Sequence, residues 1–236
     1  MINLKINNMP VQVEAGTTIL EAAKSIGIKI PTLCYLKKIN EIGACRICVV
    51  EVKGMQNLVA SCVYPVFEGM EVFTNSEKVL NARKTTLELI LSNHKKDCLS
   101  CDRNTNCELQ RLSYEYNCDC HAFAGQMNEE PQDTSTEYLI RDNTKCILCR
   151  RCVAVCNKTQ TIGVIGANER GFKTEISSAF GLGLGDTACV SCGQCIAVCP
   201  TGALYEKDST DEILAAIADP NKKVFVQVAP AVRAAL

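Results

Sequence analysis

CILCRRCVAVC at 146–156 and CVSCGQCIAVC at 189–199 are one pattern, C-x2-C-x2-C-x3-C, written twice with an offset of 43 residues. Three thiolates at this spacing wrap a single [4Fe-4S] cube while the fourth reaches the neighbouring cube. Two copies therefore predict two cubes. The implied ligand sets are Cys146, Cys149 and Cys152 with Cys199, and Cys189, Cys192 and Cys195 with Cys156. Zinc is the competing reading, but structural zinc sites usually pair two C-x2-C units over a finger-length spacer instead of packing four cysteines into eleven residues. Between the copies, TIGVIGAN and GFKTEIS read as short strands or a hairpin insertion, and the GLGLGD at 181–186 lacks the strand-then-helix setting of a dinucleotide loop.

Working outward, the remaining cysteines fall into separate blocks, and the gaps between blocks mark domain boundaries. Cys34, Cys45, Cys48 and Cys62 lie among segments that alternate apolar with polar residues, INLKI, Pro10 to Glu14 and ICVVEV, as half-buried strands do. Asn7-Asn8 suits a hairpin turn. Thr17 or Thr18 can cap a helix through ILEAAKSI that Gly27 would end. Strand, strand, helix, cysteine loop, strand is the order of a small β-grasp domain over 1–75. Its four thiolates make a sound [2Fe-2S] site, with Gly43 and Ala44 letting the backbone pass close to the sulfides. Cys45-x2-Cys48 alone could be a redox dithiol, a reading that needs a βαβ context and leaves Cys34 and Cys62 idle.

Ser76 then begins a predicted helix, SEKVLNARKTTLELILSNH, with Val79, Leu80, Leu87, Ile90 and Leu91 on one apolar face. It delivers the next block, His94-x3-Cys98-x2-Cys101-x5-Cys107, in which three thiolates leave a cube one ligand short. His94, one of two histidines in the chain, is the candidate fourth ligand. A neutral imidazole in place of a thiolate makes such a site less negative and raises its potential. This segment spans 76–117, including a short helical stretch ELQRLSYEY; residues 118–137 read as a polar linker. Cys118, Cys120 and His121 are one ligand short of a further metal site and read as surface residues. The two-cube domain spans 138–208, and a helix-strand stub, with VFVQV as the strand, spans 209–236.

Composition narrows the partners. Lys+Arg 25 against Asp+Glu 26 gives no basic excess for nucleic acid or an anionic membrane. No apolar run approaches the ~18 residues of a membrane span, and MINLKINNMPVQVE has no signal-peptide pattern, which predicts a cytoplasmic protein. Seventeen cysteines in 236 residues exceed what stable disulfides explain in a reducing compartment. The absence of Trp, with six Tyr and six Phe, limits the apolar core and suits a chain whose folding energy comes partly from metal-ligand bonds.

At these residues the chain resembles the cluster-bearing N-terminal half of multi-cluster [FeFe]-hydrogenases and the large iron-sulfur subunit of respiratory complex I. PTLCYL, ACRICVVEV and the Cys62 region are similar to the family's [2Fe-2S] domain, HKKDCLSC with Cys107 to its His-ligated cubane segment, and TKCILCRRCVAVC and CVSCGQCIAVCPTGAL to its two-cubane ferredoxin-like domain. The resemblance implies an α+β protein with a β-grasp [2Fe-2S] domain, a His-ligated [4Fe-4S] segment and a bacterial-ferredoxin-like two-[4Fe-4S] domain. It supports His94 as a ligand by position. Pro200 after Cys199 fits the bacterial ferredoxin pattern, whereas Asn157 after Cys156 departs from it.

VFVQVAPAVRAAL resembles the opening strand of the hydrogenase catalytic domain. Such hydrogenases hold their hydrogen-activating cluster with cysteines well downstream, and no cysteine follows Cys199. What remains implies a cluster-bearing arm alone, without catalytic residues. It would relay single electrons between a flavin-bearing NAD(P)H oxidoreductase subunit and a low-potential acceptor such as ferredoxin, in a hetero-oligomer that splits electron pairs in some such complexes. A fragment of an [FeFe]-hydrogenase or formate-linked oxidoreductase is the alternative.

Overall fold

The computed structural model describes residues 1–129 and 131–235. The chain starts with the hairpin that Asn7-Asn8 predicts: β1 (Ile2–Ile6) and β2 (Met9–Val13) pair antiparallel. Both asparagines take the left-handed conformation, φ 49° and 67°, that a two-residue hairpin turn demands. Thr18 caps α1 (Ile19–Ser25) by accepting from the Glu21 N–H, and Gly27, at φ 79°, ends it. With β3 (Val49–Val52), β4 (Val59–Ala60) and β5 (Glu71–Phe73) the strands form one sheet in the order β2-β1-β5-β3-β4, in which β1 and β5 run parallel. Ile6, Ile19, Val50, Val52, Met70 and Val72 fill the space between sheet and helix.

The next helix, α2 (Glu77–Ser92), follows Ser76 as expected. Its buried face is not the one that apolar periodicity predicts. Val79, Leu87 and Leu91 are buried, but Leu80 is 42% exposed, while Arg83 and Glu88 are buried in its place. Both polar side chains take hydrogen-bond partners distant in sequence. The Arg83 guanidinium donates to the Val49 carbonyl oxygen (2.8 Å) and the Tyr116 hydroxyl (3.0 Å), and Glu88 accepts from the Asp119 N–H (3.0 Å). Buried charge is tolerated on those terms. Leu87 and Leu91 pack with Leu33 and Ile47 of the first domain and with Leu109 and Leu112 of α3 (Glu108–Glu115), a small second core.

The repeated cysteine motif supplies α4 (Arg151–Ala154), which continues as a π-helical turn through Thr159, and α5 (Gln194–Val198). β6 (Leu139–Arg141) pairs antiparallel with β9 (Leu204–Glu206) beneath them. The predicted insertion is a hairpin, β7 (Ile165–Asn168) with β8 (Glu175–Ser178). Segment 118–137 is less free than a linker. Asp133 exchanges both backbone hydrogen bonds with Arg141, and the Ser135 hydroxyl accepts from the Gly185 N–H (2.8 Å).

After β9 the chain forms α6 (Thr210–Ala218) and α7 (Pro230–Ala235). VFVQV between them is not the expected strand. It makes no ladder among the described residues, and Phe225 is 86% exposed, because no sheet edge lies against it to accept its hydrogen bonds. Among the described residues no helix is long and apolar enough to cross a membrane.

Candidate metal centres

All seventeen cysteines are free thiols. In the first domain, Cys34 sits after α1, Cys45 and Cys48 on the loop entering β3, and Cys62 just beyond β4. Cys34, Cys48 and Cys62 are buried. They meet as two pairs. Cys48 and Cys62 place their sulfurs 3.3 Å apart, well beyond a disulfide bond of about 2.0 Å. Cys34 and Cys45 form the second pair, each close enough to shift the other's thiol. Side-chain contact within each pair raises the Cys34 and Cys62 thiols and lowers Cys45 to about 6 and Cys48 to about 7. Gly43, at φ 62°, carries the chain past this group, and a Cβ there would crowd the Val63 side chain at 3.2 Å.

Cysteines from both copies of the repeat line two neighbouring cavities. Cys146, Cys149, Cys152 and Cys199 line one, and Cys156, Cys189, Cys192 and Cys195 line the other. Both cavities are small, about 20 and 30 Å³. Among the described residues no three His, Cys, Asp or Glu side chains converge on a point where a single ion would sit. Four thiols line each cavity, three from one copy of the motif and one from the other, and a [4Fe-4S] cube takes a donor set of that kind. Burial pushes Cys146 and Cys149 up to about 12 and Cys195 up to about 11, and it raises Cys152 well above the ordinary thiol range. Such sulfurs bind as thiolates only if metal charge replaces the proton.

His94 lies just past the C-terminus of α2, Cys98 opens a short 3-10 turn, and Cys107 caps α3. His94, Cys98 and Cys107 face one cleft. The His94 ring is buried with its Nδ1 lacking any hydrogen-bond partner. Burial first, and the nearby Lys145 ammonium second, lower its pKa to about 4, so the imidazole is neutral. A neutral ring with an unsatisfied buried nitrogen is the state in which histidine binds metal. Cys101 does not line this cleft; it lies against Gly202, where a Cβ would come 2.5 Å from its sulfur, so only glycine fits at 202.

Cys118 and Cys120 line the same cleft, and Cys118 packs on the core beside Cys107. Cys118 is therefore more than a surface residue, a proximity that sequence spacing did not reveal.

These sites are tied to one another through the backbone of 199–203. The Glu108 N–H donates to the Pro200 carbonyl oxygen (3.0 Å), and Arg103 donates to the Cys199 carbonyl oxygen. The Thr201 hydroxyl donates to the Lys145 carbonyl oxygen (2.9 Å). The buried Lys145 ammonium is 3.3 Å from Asp97 and 3.8 Å from Asp142. Sequence reasoning missed these ties, since none has a local signature.

Residues 1–77 match the family described as 2Fe-2S iron-sulfur cluster binding domain, residues 83–120 the NADH-ubiquinone oxidoreductase-G iron-sulfur binding region, and residues 145–203 the 4Fe-4S dicluster domain. The chain is 49% identical over 242 residues to the NADP-reducing hydrogenase subunit HndD of Solidesulfovibrio fructosivorans, a match covering 100% of this chain and 41% of that one. The NADH-ubiquinone oxidoreductase 75 kDa subunit of Reclinomonas americana is 37% identical over 75% of this chain, which spans 26% of that subunit. A chain in the crystal structure of NAD+-reducing [NiFe]-hydrogenase in the H2-reduced state superposes with a TM-score of 0.81 and 30% identity, covering 88% of each. The chain thus spans less than half the length of these two relatives matched by sequence. The matches indicate a mixed helix and strand fold carrying a 2Fe-2S centre and 4Fe-4S centres.

Proposed function

The chain belongs to the family of iron-sulfur subunits of NAD(P)-linked hydrogenases and complex I-like oxidoreductases, and from that premise we propose that it relays single electrons between a flavin-bearing NAD(P)H subunit and a low-potential acceptor such as ferredoxin. We read it as one arm of a hetero-oligomeric oxidoreductase complex, of the kind that in some cases splits electron pairs. It would hold one [2Fe-2S] and three [4Fe-4S] clusters, each of which, when bound, accepts and passes one electron.

Sixteen side chains hold them. Cys34/Cys45 and Cys48/Cys62 are the two pairs of the [2Fe-2S] site. His94, Cys98, Cys101 and Cys107 hold one cube, Cys146, Cys149, Cys152 and Cys199 a second, and Cys156, Cys189, Cys192 and Cys195 a third. The observation that carries this reading is the interleaved lining of the two adjoining cavities, each taking three thiols from one copy of the motif and one from the other. The protein's own part is to fix the sulfurs, exclude water and set potentials by ligand type, charge and burial. No acid, base or nucleophile is required.

The test starts from the anaerobically purified chain. It should contain about 14 iron atoms and little zinc. Dithionite should reduce it in steps spread over a wide range of potential, whereas NADH alone should not. Adding the flavin-bearing partner should restore reduction by NADH. An iron count near 8 with full cysteine occupancy, or rapid NADH reduction by the single chain, would overturn the assignment.

A further inference from the structure

Asn40 contributes no ligand, yet it is 2% exposed between two of the sites. Its side-chain amide donates one N–H to the Cys34 carbonyl oxygen (2.8 Å) and the other to the Cys149 carbonyl oxygen (3.0 Å), spanning 109 residues of sequence. An amide has two such protons, and both are spent. The loop is built to hold it there. Leu36 and Asn40 exchange backbone hydrogen bonds across a tight turn with Lys38 at φ 65°, and the Lys158 ammonium clamps the Ile39 carbonyl oxygen (2.8 Å). Cys45 lines a cleft with Ile147 and Leu148, which places it beside the Cys146–Cys149 loop.

Resting on the relay reading, we propose that Asn40 is a positioning residue that sets electron exchange between the [2Fe-2S] site and the Cys146/Cys149/Cys152/Cys199 site. Its amide joins the backbone of one ligand from each by two hydrogen bonds, a short connected path where packing alone would leave a gap. The step it serves is balanced: one electron leaves the reduced two-iron cluster, one arrives at the oxidised cube, and no proton moves and no covalent bond changes.

The test is flash photoreduction of the full, anaerobically reconstituted chain by a soluble flavin, with freeze-quench EPR following how fast the two-iron and four-iron signals equilibrate. Asn40→Leu keeps the volume and removes both donors. It should retain about 14 irons and slow equilibration about tenfold, and Asn40→Gln, which keeps an amide, should recover part of the rate. Should N40L bind less iron, Asn40→Thr, with a single donor, carries the test at full iron content. Equilibration at the wild-type rate in the donor-poor variant would overturn the role of Asn40, as would equal slowing by N40L and N40Q. No exchange between the signals in the wild-type chain would instead overturn the relay.

Discussion

The two copies of the cysteine motif share their backbone turn for turn and differ in what encloses them. Leu148 and Ser191 occupy equivalent positions at φ 54° and 51°, and Arg150 and Gly193 at φ 60° and 71°. These left-handed residues wrap each loop around its sulfurs. Beyond the third cysteine the copies part. Asn157 lets the first helix run on past Cys156 as a π-turn, whereas Pro200 forces Cys199 into an extended conformation, ψ 124°, and ends α5. The carbonyls freed at that end are taken up by the neighbouring segment: Arg103 reaches those of Ile196 and Cys199, and Arg151 that of Val198. One departure from the motif thus decides which cavity is walled in. Cys149, Cys152 and Cys199 are buried, while Cys192 in the other cavity is exposed. Identical ligand spacing gives an inner site that touches its neighbours and an outer site that faces away from them.

Breaking the inner site should have the largest effect. Cys149→Ser and Cys192→Ser should each cost about four irons, but C149S should stop transfer arriving from both the [2Fe-2S] and the His94 sites, whereas C192S should leave those clusters in exchange with the inner cube. Iron assay with EPR-monitored reduction separates the two. Equal loss of all exchange in both variants would erase the distinction between inner and outer.

The His94 cleft sharpens the same comparison, because it joins the inner side through Gly202 and Pro200. His94→Ala should lose about four irons, and His94→Cys should keep them while lowering that cluster's potential. Cys118→Ser should leave iron content unchanged. If H94A keeps all its iron and only the double variant with C118S loses it, Cys118 can stand in for the imidazole.

Stability should report the enclosure of the outer site. Asp133 accepts from the N–H groups of Ser135 (3.1 Å) and Leu184 (3.0 Å) and pairs with Arg141 (3.2 Å), and Leu184 lines the outer cavity. Asp133→Asn should destabilise the holoprotein by about 2 kcal/mol, read as earlier thermal bleaching, with iron content unchanged. Burial raises the Asp133 pKa, but the hydrogen bonds from Ser135 and Leu184 and the Arg141 charge outweigh it, and the net shift is downward. The contribution is accordingly complete above the ordinary value of 3.8 and is lost as pH falls through the lower folded value.

The smallest effect belongs to the position where the copies differ only in residue type. Arg150→Gly relieves left-handed strain of about 1–2 kcal/mol and adds about 0.5–1 kcal/mol of unfolded-state freedom. The net gain should be no more than about 1.5 kcal/mol, visible as a slight delay in thermal bleaching.

Much of the molecule was legible because its information is local. The hairpin at Asn7-Asn8, the Thr18 cap and the cysteine spacings each specify a geometry within a few residues, and the two-site interleaving follows from the repeat alone. What escaped was tertiary. Apolar periodicity placed Leu80 in the core because it cannot see that Val49 and Asp119 supply partners for Arg83 and Glu88. VFVQV has strand composition, but a strand needs an edge to join. Asn40 and Gly202 carry no local pattern, since each acts on a residue about 100 positions away.

The Arg83 contact has a mechanical meaning. One guanidinium on α2 grips the sheet of the first domain at Val49 and the end of α3 at Tyr116, in an interior with almost no solvent. Prising that joint open gives up two hydrogen bonds from a charged donor, about 1.5–3 kcal/mol each. Against a thermal energy of about 0.6 kcal/mol, the hinge stands shut more than about 99% of the time. The arm therefore behaves as a strut, with the separation of its sites fixed at folding and no swinging part to wait for.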